Sequence, residues 1–332
     1  MTGSFWMSTE VRIYRSLDET PPDFGPCALT VGNFDGVHAG HRELLSRVVR
    51  AAREHGWRAA AMTFHPHPAR VIAPGRAPLV MTTPEQRAQI MEACGIEEVL
   101  VLPFTEETAL WTPEYFVRHV LVEKLQARTI CVGEDFRFGH KHEGNTFLLQ
   151  SLGLECGFTT EFIPPVRLRG GRVSSSRVRA LVQGGRVAAA RRLLCGPFAL
   201  EGTVVSGHGI GKKETVPTLN LDPAFEVLPN NGVYVTRTTD LASGQRWQSV
   251  TNVGTRPTFS GDALTVETYL LGKLDSAPEH IRVEFLARIR AERKFSSPEA
   301  LKTRIFGDVQ SAQRLFRTLD SRVLPDSSRV II

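Results

Sequence analysis

Cysteine is scarce in this 332-residue chain. The five present (Cys27, Cys94, Cys131, Cys156 and Cys195) are scattered with no CxxC pair. That spacing argues against a zinc site or a disulfide framework and leads us to expect a reducing, cytoplasmic setting. No apolar run reaches the ~20 residues of a membrane-spanning helix. The opening stretch MTGSFWMSTE has no basic segment followed by a long apolar core, so no secretion signal is expected, and Met7 is an alternative start. Long Lys/Arg runs are also missing. A net charge of +5 is mild for this length and fits a small anionic ligand; neither a nucleic-acid nor a membrane partner is expected. Internal repeats and low-complexity tracts are absent. The length alone favours two domains.

The first half alternates strand-like and helix-like segments. CALTV (27–31), RAAAMTF (58–64), EEVLVLPF and RTICVGEDF read as strands; HRELLSRVVRAAREHG, PEQRAQIMEAC and TPEYFVRHVLVEKL read as helices. Such alternation predicts a doubly wound parallel sheet, with ligands beyond the carboxyl ends of its strands. Three segments that follow strands would meet there: Gly32–His41, His65–Pro68 and Gly133–Gly139. SSSRVRALVQGGRVAAARRLLCG reads as one or two short helices around Gly184-Gly185. Beyond it come five β-prone runs, with Asn231-Gly232 and Ser243-Gly244 as turn signals, then a helix starting at Pro298. This half predicts a small antiparallel β-barrel with a closing helix. The expected domains are 1–186 and 187–332.

The stretch LTVGNFDGVHAGHREL is a strand–loop–helix junction punctuated by Gly32, Gly36 and Gly40. Glycines let backbone approach a ligand, and a helix start offers free N–H groups to an anion. His38 and His41, three apart, add donors that can stabilise charge growing on nucleotide phosphates as an α-phosphorus is attacked. In SSSRVR, hydroxyls followed by Arg177 and Arg179 could clamp an outgoing pyrophosphate. Cys131, on an apolar strand, reads as core. His140 and His142, beside Lys141, read as a mobile basic loop rather than metal ligands.

The second half holds GHGIGKKETVPTLNL. Gly207, Gly209 and Gly211 would let a flap fold over phosphates, with Lys212 beside them. Thr218 and Asn220 are two apart, so on an extended segment they face one side, and their oxygens suit Mg²⁺. Glu267, in the largely apolar TVETYLL, is a candidate base for a substrate hydroxyl that attacks a γ-phosphorus.

VGNFDGVHAGH resembles the motif of the HxGH nucleotidyltransferase superfamily, and TFHPHP, VGEDFRFGHKHEGN and SSSRVRALVQGG follow in order. VPTLN, NGVYV, TNVGTRPTF and VETYLL resemble a riboflavin kinase barrel. Over residues 11–318 the chain is similar to the bacterial bifunctional riboflavin kinase/FMN adenylyltransferases, or FAD synthetases. The resemblance implies ATP-dependent phosphorylation of riboflavin to FMN, then adenylylation of FMN to FAD with release of pyrophosphate. Riboflavin, FMN and ATP are the implied small-molecule partners, with Mg²⁺ as cofactor. In the adenylyltransferase it implies His38 and His41 as catalytic residues. Gly32, Phe34, Asp35, Gly36, Gly40, Ser174, Ser175, Arg177 and Arg179 would surround ATP, and Asp135 and Phe136 the flavin. In the kinase it implies Gly207, Gly209, Gly211, Lys212, Thr218 and Asn220 around ATP. Thr218 and Asn220 would also hold the metal, Glu267 would be the base, and Asn252, Gly254 and Pro257 would shape the wall.

Several positions depart from the family pattern: His65 stands for Glu, Ser176 for Thr, Lys212 for Arg, Thr215 for Gly and Tyr269 for His. Lys212 keeps the charge but loses the planar fork. Three other readings stay open. One is an adenylyltransferase whose barrel only binds flavin. The others are transfer to a different acceptor and a flavin- or nucleotide-binding regulator.

Overall fold

The structure, a computed structural model, describes residues 10–205, 218–223, 226–258, 261–274, 276–293 and 297–320. It divides into two compact units, Met1–Arg177 and Val178–Ile332.

The first unit runs β1 (Arg12–Tyr14), β2 (Cys27–Val31), α1 (Ala39–His55), β3 (Arg58–His65), α2 (Pro68–Ile72), α3 (Pro84–Glu92), β4 (Glu98–Pro103), α4 (Glu106–Ala109) and α5 (Pro113–Tyr115). It continues with β5 (Ala127–Gly133), α6 (Thr146–Cys156), β6 (Thr159–Ile163) and a small hairpin of β7 (Arg167–Leu168) and β8 (Gly171–Arg172). Six strands form one sheet in the order β1-β4-β3-β2-β5-β6. Every pair in it is parallel. All five residues of β2 are buried, as a central parallel strand requires. Side chains alternate across it: Ala28 packs with Leu45 and Val48 of α1 and Met91 of α3 on one face. Cys27, Leu29 and Val31 pack with Val117, Val120 and Leu121 on the other, joined by Leu149 of α6. Burial pushes the Cys27 and Cys131 thiols up to about 12, so both stay protonated core residues.

Sequence and structure differ within 113–124. The stretch reads as one α-helix, but only α5 is α-helical, and Phe116–Lys124 winds as a π-helix. Over nine residues the apolar spacing does not separate the two windings, because either one buries Phe116, Val117, Val120 and Leu121.

The second unit contains α8 (Val187–Leu194), β9 (Phe198–Val205), β10 (Thr218–Pro223), β11 (Gly232–Asp240), β12 (Arg246–Thr258), β13 (Gly261–Leu270), β14 (His280–Arg290) and α9 (Pro298–Asp320). The division between units falls within α7 (Ser175–Gln183), so the GG stretch separates two helices. The strands close into an antiparallel barrel, β10-β13-β12-β11-β14-β9. Five were expected and six are present. The extra one is β10, whose flanking prolines hide a short strand; its pairing with β9 and β13 closes the barrel. Ser243-Gly244 does turn the β11–β12 hairpin, with Gly244 at φ +72°. Asn231-Gly232 instead opens β11, where a side chain at 232 would strike the Arg290 carbonyl at 2.5 Å.

The barrel interior is partly polar. Thr236, Thr238, Ser249, Thr251 and Thr268 are fully buried. They are linked by hydroxyl hydrogen bonds of 2.7 to 3.0 Å, so none of these groups is buried unsatisfied. Helix α9 covers the outside, packing Ala312 and Phe316 on Val233, Val235, Val250 and Leu286. An ion pair with a buried carboxylate fixes it: the half-buried Arg290 guanidinium donates to Asp308 at 2.7, 2.9 and 3.1 Å.

Candidate active sites

In the first unit β2 ends at Val31, and the chain turns through 32–38 before α1 begins. Phe34, Gly36 and Val37 all have positive φ, at 49°, 80° and 38°. Two non-glycine residues in that region mean the loop is held against its own preference. The holding groups come from Met81–Arg87. Asp35 is 2% exposed. Its Oδ1 accepts from the Met81 and Thr82 N–H groups and the Thr82 hydroxyl, at 3.0, 3.1 and 3.1 Å. The Ser175 hydroxyl donates to the Asp35 carbonyl at 3.0 Å. Arg87, 4% exposed, donates from Nη1 to the Asn33 carbonyl at 2.7 Å and to Thr63 Oγ1 at 3.0 Å.

His38 caps α1: its Nδ1 accepts the His41 N–H at 3.3 Å. That bond leaves the other ring nitrogen of His38 to carry the proton. The two imidazoles stack, centroids 3.7 Å apart, and the Phe34 ring meets His41 edge-on at 5.2 Å. Gly40 packs closely, and a Cβ there would lie 3.2 Å from the His38 ring and press on it. His41 Nδ1 is buried without a hydrogen-bond partner. Burial first, then the His38 ring and the Arg87 charge, hold the His41 imidazole well below its ordinary value. The ring is therefore neutral near pH 7.

Beyond the ends of β2 to β5 lies a cavity of about 610 Å³. Gly32 and Asn33 border it, and Phe64, Phe104, Trp111, Phe116, Phe136 and Phe138 give it an aromatic lining. Phe64 meets Phe104 edge-on, and Phe136 stacks on Phe138. Asp135 joins the lining, as do Arg137 and His140–His142. The basic loop is thus cavity wall: His140 Nδ1 donates to the Ala109 carbonyl at 3.0 Å. Among the described residues no cluster of His, Cys, Asp or Glu is arranged to hold a metal.

The hairpin β7–β8 is absent from the sequence reading, although Gly170-Gly171 was a turn signal. It engages two expected site residues. The Arg172 guanidinium donates to Asp135 Oδ2 at 2.5 Å. Arg177 Nη1 donates to the carbonyls of Leu168, Gly171 and Arg172, at 3.2, 2.9 and 3.1 Å. Ser174 caps α7, its Oγ accepting the Arg177 N–H at 3.3 Å. Arg179 belongs to the second unit. His65 is exposed at the end of β3.

In the second unit the barrel register places the expected kinase residues. Asn220 of β10 lies opposite Glu267 of β13. Glu267 lies opposite Asn252 of β12. Directly opposed residues share a face, with Cβ atoms about 5 Å apart. Leu219, Leu221, Val266 and Thr268 alternate with them into the barrel and are buried. Asn220, Glu267 and Asn252 therefore form one row on the outer face. Thr218, one step along, lies opposite Tyr269. Gly254 carries the wall past Asn252; a Cβ there would sit 2.3 Å from Glu292 Oε1. Gly207, Gly209, Gly211 and Lys212 lie outside the described residues, as does Thr215.

Comparisons with known proteins agree with both halves. A family model described as FAD synthetase matches residues 20–177, and one described as riboflavin kinase matches 194–316. The bifunctional riboflavin kinase/FMN adenylyltransferase of Escherichia coli (strain K12) is 35% identical over 92% of this chain and 97% of its own. That of Pseudomonas fluorescens is 35% identical over 92% and 98%. A crystal structure described as a macrolide-efflux protein from Streptococcus pneumoniae matches with TM-score 0.80 and 27% identity, over 92% of this chain and 99% of that one. No helix among the described residues is long and apolar enough to cross a membrane. With a polar, glycine-framed loop at the strand ends of one unit, a carboxylate–amide row on the barrel of the other, and relatives matching over both, the chain belongs to the bifunctional riboflavin kinase/FMN adenylyltransferase family.

Proposed function

We propose that this chain makes FAD from riboflavin in two ATP-dependent steps, the barrel unit forming FMN and the parallel-sheet unit adenylylating it. The observation that carries this reading is the pair of family matches in one chain, FAD synthetase over 20–177 and riboflavin kinase over 194–316. A barrel that only binds flavin is not favoured. The functional boundary falls at 186/187, after Gly185 ends α7 with φ +70°.

In the first step Glu267 accepts the proton of the riboflavin 5′-hydroxyl as that oxygen attacks the γ-phosphorus of ATP, and the bond from that phosphorus to the bridging oxygen breaks to release ADP. Asn220 and Asn252, on either side of it in the row, hold the reacting groups. Thr218 and Asn220 fit Mg²⁺: one hydroxyl and one amide oxygen on one face of β10, beside a carboxylate. Bound there, the ion offsets phosphate charge.

In the second step an FMN phosphate oxygen attacks the α-phosphorus of ATP, and pyrophosphate leaves. His38, His41 and the N-terminal N–H groups of α1 stabilise the charge that grows on the phosphates. Gly32, Phe34, Gly36 and Gly40 shape the cradle, and Asp35 supports it through its buried carboxylate. Ser174, Ser175, Arg177 and Arg179 face the leaving pyrophosphate, with Arg177 exchanging its hairpin carbonyls for it. The aromatic cavity with Phe136 and Asp135 takes the isoalloxazine ring. The protein works in the cytoplasm on small molecules, without nucleic-acid or membrane partners.

The test is a time course with riboflavin, ATP and Mg²⁺ in which riboflavin, FMN and FAD are separated by chromatography. FMN should rise first and FAD follow. Unchanged riboflavin, with no FAD from supplied FMN, contradicts the reading.

A further inference from the structure

Arg87 has no place in any motif read from the sequence, yet it is one of the most deeply buried charges of the first unit. Helix α3 delivers it. A capping box starts that helix: Thr83 Oγ1 accepts the Gln86 N–H at 3.2 Å, and Gln86 Oε1 accepts the Thr83 N–H at 3.0 Å. The Arg87 side chain then turns inward. Its Nε donates to the Thr83 carbonyl at 3.4 Å, so the guanidinium is tied to its own helix start. Its Nη1 reaches two further segments, the Asn33 carbonyl and Thr63 of β3. Thr63 Oγ1 donates to the same Asn33 carbonyl at 3.1 Å. One peptide, Asn33–Phe34, is thus held just before the residue with φ +49° whose ring packs on His41.

We propose that Arg87 is a positioning residue for adenylyl transfer: it fixes the Asn33 carbonyl, and with it the Phe34–His41 contact, and it presents His41 with a buried positive charge. The proposal rests on the reading of His38–His41 as the phosphate-stabilising pair. Its distinctive part is the charge. The groups that act on His41 are the stacked His38 ring and Arg87. Those that act on Arg87 are Asp35, from the glycine loop, and Glu85, from α3. Arginine stays protonated at working pH, so its field is constant. A cation in the interior disfavours a second one nearby, so Arg87 adds to burial and the His38 ring in holding His41 neutral. The neutral ring meets a phosphate through one N–H donor, in the same protonation state across the working pH range.

Two experiments separate this proposal from the functional reading beneath it. The first needs no activity. Histidine ring resonances are followed by NMR against pH in the full-length protein and in Arg87→Gln, with His41 assigned by its loss in His41→Asn. The expected result is a His41 midpoint well below that of an ordinary imidazole in the parent, and a measurable rise once the charge is gone. An unchanged midpoint in Arg87→Gln overturns the proposal, whatever reaction the enzyme catalyses.

The second measures FMN adenylylation across pH for the parent, Arg87→Gln and Arg87→Lys. Arg87→Gln should lower kcat about 100-fold, the scale of a small misplacement of catalytic groups. It should also move the acidic limb to higher pH. Arg87→Lys should return the limb to its parental position while kcat stays reduced, because an ammonium restores the charge but not the fork that spans three acceptors. Equal limbs in Gln and Lys variants overturn the charge role, and parental kcat in Arg87→Gln overturns the positioning role. Matched near-ultraviolet circular dichroism of the Lys variant and the parent guards against a loss of fold.

Discussion

The two units solve the problem of placing polar groups in opposite ways. The barrel sets Asn220, Glu267 and Asn252 on paired strands, so register alone fixes their spacing. The parallel-sheet unit puts its histidines after a loop with positive φ at Phe34, Gly36 and Val37. That loop is anchored by Asp35 and Arg87 to residues some fifty positions away, with Thr63 and Ser175 adding further hydrogen bonds. A site on strand faces is thus stiff by construction, and a site on strand-end loops needs buried anchors.

The strongest way to break this comparison is to remove the central group of each site. Glu267→Gln should lower FMN formation by about 10²- to 10⁴-fold, the range for a lost general base, while FAD still forms from supplied FMN. His41→Ala should do the reverse, lowering FAD formation by about 10²- to 10³-fold and sparing FMN formation. Separate assays of both steps on each variant check this. Loss of both steps in either variant means that the sites are not independent.

Next in size is the anchor of the barrel's covering helix. Asp308→Ala leaves the half-buried Arg290 without its carboxylate and should cost about 1.5–3 kcal/mol in the stability of that unit, read from denaturant unfolding. A loss under 1 kcal/mol would mean that the ion pair contributes little and that apolar contacts such as Phe316 hold α9.

How legible each site is in sequence follows from the same contrast. Thr218, Asn220 and Glu267 fall on strands whose alternation can be read, and the structure places the last two opposite each other. The strand that carries the first two was still hidden, because Pro217 and Pro223 break the apolar run. His38, Gly40 and His41 are equally legible, since three-residue spacing at a helix start is a local property. What holds them is not. Asp35 reads as a ligand for nucleotide, but its carboxylate is turned to Met81 and Thr82. Arg87 reads as one more charge on an amphipathic helix. Pairings across fifty residues leave no local pattern, and the same holds for the contact of Asp135 with Arg172, 37 positions away.

A smaller effect sharpens the electrostatic side. His41 sits well below its ordinary value in the folded protein, so the unfolded chain binds more protons below about pH 6.5. Its contribution therefore lowers stability as pH falls through that point and is absent at higher pH. Stability-against-pH curves of the parent and His41→Asn between pH 5 and 8 should keep a constant offset at the alkaline end and differ in slope at the acidic end. Parallel curves would count against a neutral, buried His41. The smallest change is expected for Gly254→Ala: the clash is with the far end of the exposed Glu292 side chain, which can swing away, so stability should move by less than about 1 kcal/mol.

Mixing the two crippled enzymes tests the central claim most directly. His41→Ala and Glu267→Gln proteins are incubated together with riboflavin, ATP and Mg²⁺, beside each alone, and the flavins are separated over time. Two independent sites predict FMN alone from the first, almost no product from the second, and FAD from the mixture. Failure of the mixture to make FAD, while the Glu267→Gln protein still converts supplied FMN, would contradict free transfer of FMN between two separately working sites.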